Sequence, residues 1–97
     1  MAGVETIGSL SKKYSMSKEE FIRYGSRLTL KERKRNLQIE RLEILSRYEA
    51  ETVKELGKKI KEGKVPEHPA WEDLIEIKNI DSEIVEIEND IKTLQAA

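Results

Sequence analysis

The stretch Ala70–Leu94, AWEDLIEIKNIDSEIVEIENDIKTL, decides the fold. Ile77, Ile80, Ile84, Ile87, Ile91 and Leu94 follow one another at alternating steps of three and four, which is the apolar ridge of a helix lying along another helix. Around them stand Glu76, Lys78, Asn79, Asp81, Ser82, Glu83, Glu86, Glu88, Asn89, Asp90 and Lys92, so the other faces are mostly wetted. Such a ridge needs a second helix to cover it.

The cover lies upstream. Thr29 with Glu32 has the spacing of a capping box, and from Lys31 to Glu62 there is no proline and a single interior glycine, Gly57. The expected helix spans 30–62, with Gly63 at its left-handed end and Lys58, Lys59 and Lys61 complementing the negative pole of its dipole. Lys64 to Pro69 is too short and too proline-rich to do anything but reverse the chain. Pro69 then opens a second helix over 69–96, with Glu72 and Asp73 near its positive pole. The fold class is therefore all-α, a long antiparallel, coiled-coil-like helical hairpin over residues 29–97. If Leu56 faces Ile77, then Val53 meets Ile80, Glu49 meets Ile84, Ser46 meets Ile87, Leu42 meets Ile91 and Ile39 meets Leu94. Glu49 and Ser46 are the weak layers, flanked by Leu45, Tyr48 and Thr52, with the Glu49 stem lying over the seam.

Residues 1–28 form a short N-terminal helical segment. Residues 1–5 carry no pattern and are expected to fray. Thr6 to Tyr14 can form a short helix showing Ile7 and Leu10, Ser15 and Met16 make a turn, and Ser17 with Glu20 caps a second helix over 18–24 bearing Phe21, Ile22 and Tyr24. Gly25 and Ser26 are expected to end it. Through Ile7-Gly8-Ser9-Leu10 and Ser17 to Tyr24 this opening resembles the helix-turn-helix at the start of MerR-type regulators, which implies a DNA-contacting second helix. Ser15 stands where that family has its turn glycine, and Glu19 and Glu20 where a helix facing phosphates carries neutral or basic groups. Residues 48–95 resemble the helical stalk of small bacterial zinc-ribbon proteins, through Leu56-Gly57-Lys58-Lys59, Pro66-Glu67-His68-Pro69 and Trp71-Glu72-Asp73-Leu74 to Leu94. That resemblance implies a hairpin of scaffolding or regulatory type; the metal-binding ribbon is absent, so no zinc comes with it.

Composition narrows the function. Charged residues make up 38% and hydrophobic residues 37% of 97 residues, the balance of a rod with a seam for a core. There is no cysteine, no apolar run near the ~20 residues of a membrane span, and no apolar region of a secretory leader, so a soluble cytoplasmic protein is expected. Residues 1–69 hold 16 Lys/Arg and 11 Asp/Glu and residues 70–97 hold 2 and 8, so the two arms can attract each other. His68 is the sole histidine, which excludes a histidine-based metal site or triad within one chain. Gly3, Gly8, Gly25, Gly57 and Gly63 stand alone and make no phosphate loop, and the carboxylates are dispersed. No catalytic residue, metal or cofactor is expected.

Partners are the remaining question. Leu30, Leu37, Ile44 and Tyr48 lie beside the expected seam, and Trp71, Ile75 and Val85 fall near the outward face of the last helix. These seven are the expected contact residues for a homo-oligomer or a helical protein partner. Arg27, Lys31, Lys34 and Arg35, with Arg23 and Arg41 nearby, could form an anion- or nucleic-acid-contacting stripe, or a solvated face partly attracted to Glu86, Glu88 and Asp90. The sequence thus points to a non-enzymatic helical interaction, scaffold or adaptor protein that is oligomeric. The alternative is a small DNA-binding regulator, with residues 6–24 as a helix-turn-helix and the hairpin as its dimerisation arm.

Overall fold

A computed structural model describes residues 2–96, and every regular element in them is helical: α1 Ala2–Lys13, α2 Lys18–Arg47, α3 Val53–Lys61 and α4 Glu67–Ala96. The chain is all-α, an extended helical hairpin measuring 59 × 26 × 20 Å. At 1.5 Å per residue a 30-residue helix is about 45 Å long, so the molecule is little longer than its two main arms.

The isoleucine ridge of α4 makes the core. Ile77, Ile80, Ile84 and Ile87 are buried, joined by Ala70 and Leu74 toward the start of the helix, while Ile91 and Leu94 are half-buried where the arm runs out. Against them lie Leu37, Ile44 and Leu45 of α2, Ala50, and Leu56 of α3. Each such side chain removed from water contributes about 1.5–3 kcal/mol. The arms run antiparallel, since Arg33 bonds Glu83 at 2.8 Å, Arg41 bonds Asp81 at 2.7 Å and Arg47 lies 3.7 Å from Asp73.

Two expectations for the first arm fail, for local reasons. α2 does not stop at Gly25–Ser26 or restart at Thr29: the Thr29 hydroxyl donates to the Gly25 carbonyl at 2.9 Å, and a hydroxyl engaged on the preceding turn cannot cap. The helix does stop after Arg47. Thr52 accepts the Glu55 amide at 3.0 Å, and the Glu55 carboxylate accepts the Glu51 amide at 2.9 Å. Upstream, the Ala50 amide reaches back to the Leu45 carbonyl at 3.1 Å across Glu49, whose φ is 51°. A non-glycine residue there costs about 1–2 kcal/mol. Lys59 offsets it by donating to the Tyr48 and Glu49 carbonyls at 2.8 and 3.0 Å, placing a cation on the exposed end of α2. The expected helix over 30–62 is therefore two helices meeting at a closed corner.

The corner resets the register. Arg41 meets Asp81, where the expected pairing put it opposite Lys92. Leu42 is 65% and Ile39 is 42% exposed instead of facing Ile91 and Leu94. The far turn follows expectation: Gly63 takes φ 68°, and the Lys64 amide closes on the Lys59 carbonyl at 2.9 Å. His68 is non-helical, so the uninterrupted part of α4 begins at Pro69. At the other end, α1 starts at Ala2, earlier than expected, and turns back through Ser15 at φ 57°, with the Met16 amide on the Ser11 carbonyl at 2.8 Å. Ser17 caps α2 by accepting the Glu20 amide at 3.0 Å.

Tyr48 ties the corner to α4, its phenol donating to the Asp73 carboxylate. Burial, then the hydrogen bond and the charge of Asp73, push that phenol up to about 12. The folded state therefore keeps a proton that an unfolded tyrosine gives up near pH 10. This contribution to stability is complete below pH ~10 and is lost as pH climbs toward ~12. Urea unfolding compared at about pH 9 and about pH 11.5 is expected to show a smaller drop in midpoint for Tyr48→Phe than for the parent protein.

Candidate binding surfaces

The expected contact residues divide. Leu37 and Ile44 are buried in the seam, Leu30 is packed against it and Tyr48 is held by Asp73, so these four are core and present no docking face. The physical reason is the rotation that comes with the corner: α2 turns this stripe, and not Ile39 and Leu42, toward α4. Trp71, Ile75 and Val85 are all exposed, as expected, with Trp71 beside the concavity that α4 makes with α3.

The exposed apolar stripe of α2 is one the expected register concealed. Tyr24, Leu28, Ile39 and Leu42 are all exposed, and with Arg35 they recur at steps of four, seven, four and three. On a 3.6-residue helix that spacing keeps them on one face, opposite Leu37 and Ile44. The spacing is legible in the sequence; assigning Ile39 and Leu42 to the seam hid it.

The basic stripe does not hold together. Arg27 stacks its guanidinium over the Tyr24 ring at 5.4 Å, with its Nε buried and without a hydrogen-bond partner. Arg35 is engaged with Glu32 at 3.2 Å. Lys31 and Lys34 face a different groove of about 340 Å³, beside Gln38, Glu88 and Lys92.

A larger concavity opens between α3 and the start of α4. It has a volume of about 650 Å³ and is lined by Val53, Gly57, Leu74 and Trp71 with Lys54, Lys58, Lys61 and Lys78. Trp71 and Lys61 also line an adjoining groove at the Gly63 turn. Beside it, a hydrogen bond from Lys64, helped by the charges of Lys64 and Lys58, holds the Glu62 carboxyl below its usual range. Among the described residues no three His, Cys, Asp or Glu side chains converge as metal donors. Nor, among them, is any helix long and apolar enough to cross a membrane.

A family model described as the Uncharacterized protein MJ0235 family matches residues 1–97. No curated protein matches. No solved structure matches.

Proposed function

The chain belongs to that family over residues 1–97, and from this premise we propose that it is a non-enzymatic, cytoplasmic scaffold or adaptor that acts through helix–helix contacts as a homodimer. The observation that carries the reading is the exposed stripe Tyr24, Leu28, Ile39 and Leu42, which runs for about 27 Å along α2. Two exposed apolar pairs, Tyr24 with Leu28 and Ile39 with Leu42, flank the oppositely charged Glu32 and Arg35 on one face, and that pattern favours contact with another helix.

The stripe is complementary to itself. When two α2 helices lie antiparallel, Leu28 meets Ile39 of the second copy and Glu32 meets its Arg35, each layer occurring twice about the two-fold axis. Glu32 and Arg35 approach within 3.2 Å in one chain, so they can exchange partners without leaving a charge unpaired. In the same register Leu42 lies over Gly25, where a Cβ would have nothing within 4 Å, leaving room for a leucine side chain. No like charges oppose each other in these layers. Against the DNA-reading alternative, Arg27 lies over Tyr24, Arg35 is paired with Glu32, and Lys31 and Lys34 line a separate groove, so the four do not form one basic stripe. Sedimentation equilibrium is expected to give a two-chain mass, whereas a strict monomer at ~100 µM would put any dimer Kd above that concentration and overturn the proposal.

A further inference from the structure

The groove around Trp71 lies on α3 and α4, away from the α2 stripe, and combines features that dimerisation does not use. Its apolar floor is formed by Val53, Leu74 and the open backbone of Gly57, where an added Cβ would meet nothing within 4 Å. Its wall is the indole of Trp71, 48% exposed. Its rim is four lysines from two helices, of which Lys58 approaches Glu62 at 3.9 Å while Lys54, Lys61 and Lys78 have no ion-pair partner among the described residues. No carboxylate lines it.

We propose that this groove binds single-stranded nucleic acid, with a base stacked on Trp71 and the flanking phosphates held by Lys54, Lys61 and Lys78. A flat aromatic face among cations is the arrangement that takes up unpaired bases and their backbone. The ring accepts any base, and lysine is a point charge for phosphate. The lining contains no Arg, Asn, Gln, Asp or Glu to read base edges, so binding is tolerant of sequence. A duplex hides the faces of its bases and cannot stack here. With an overall formal charge of −1, the chain has no general attraction for polyanions, and the affinity must come from this local cluster. An anionic membrane is the less suited partner, because the indole lines a concavity between helices and does not project from a convex apolar face.

Trp71 is the sole tryptophan, so its fluorescence reports on the site directly. Titration with oligothymidylate and oligouridylate of about twelve nucleotides is expected to quench it saturably. The logarithm of affinity should fall linearly with the logarithm of salt, with a slope of about −2 for three phosphates. By anisotropy of a labelled strand, Trp71→Leu should bind roughly tenfold or more weakly. Gly57→Leu, which fills the groove without changing charge, should weaken binding, as should the triple variant Lys54→Gln, Lys61→Gln, Lys78→Gln. The triple variant Lys31→Gln, Lys34→Gln, Lys92→Gln removes the same charge elsewhere and should bind like the parent. All six lysines are at least partly exposed, and unchanged circular dichroism checks that each variant is folded. The proposal is overturned if no quenching occurs, if both triple variants weaken binding equally, if inorganic polyphosphate binds as tightly as the oligonucleotides, or if only vesicles of anionic phospholipid change the emission.

Discussion

In a background in which Leu28→Lys and Ile39→Lys block dimerisation, Leu56→Ala is expected to destabilise the protein by about 2–5 kcal/mol, while Leu42→Ala changes stability by no more than about 0.5 kcal/mol. The pairing expected from the sequence treats both leucines as seam. In the structure Leu56 has no exposed surface, placed by the Thr52 cap and the Lys59 clamp where α3 meets Leu74 and Ile77. Removing its side chain leaves a cavity at the junction of three helices, where the corner's hydrogen bonds limit collapse. Within one chain Leu42 is exposed and outside the core cluster, so truncating it there removes little packing. Against a total stability of about 5–15 kcal/mol, the first change is severe and the second is within error. Urea unfolding followed by circular dichroism checks both; equal losses would mean that the arms pair as the sequence alone suggested.

Leu28→Lys combined with Ile39→Lys is expected to weaken dimerisation at least ~100-fold, to the point that sedimentation finds monomers at concentrations where the parent is dimeric. The two-fold axis turns two substitutions into four. Each removes a buried aliphatic side chain worth about 1.5–3 kcal/mol and asks an ammonium group to enter the same layer. Both positions are exposed in the single chain, so helicity should be preserved. Ile75→Lys with Val85→Lys, on the outward face of α4, is the matched control and should leave the dimer intact. The reverse pattern would move the interface to α4.

Much of the fold is legible in the sequence, since the ridge from Ile77 to Leu94, the prolines before Trp71 and the glycine at position 63 each act through local physics. The corner was legible too, in principle. Thr52 and Glu55 have the spacing of Ser17 and Glu20 and of Thr29 and Glu32. Three identical signals give two helix starts and one mid-helix threonine, because a threonine hydroxyl caps only where the preceding chain is free to leave the helix. Glu49 in the left-handed region supplies that freedom at the corner; α2 running on through Gly25 withholds it at Thr29. The cap at Thr52 moves the partner of Arg41 by eleven residues, from the expected Lys92 to Asp81, and that shift exchanges core and surface on α2. The site inherits the error: Leu37 and Ile44 read as contact residues, Ile39 and Leu42 as core. The groove at Trp71 needs α3 and α4 placed side by side, which no spacing within either helix specifies.

The register is tested most directly by cross-linking. The chain has no cysteine, so pairs can be introduced one at a time. Arg41→Cys with Asp81→Cys is expected to join within one chain under a short bismaleimide, while Arg41→Cys with Lys92→Cys, about 16 Å farther along α4, is not. Efficient intrachain joining of positions 41 and 92, with none between 41 and 81, would contradict the structure and with it the assignment of the α2 stripe as surface.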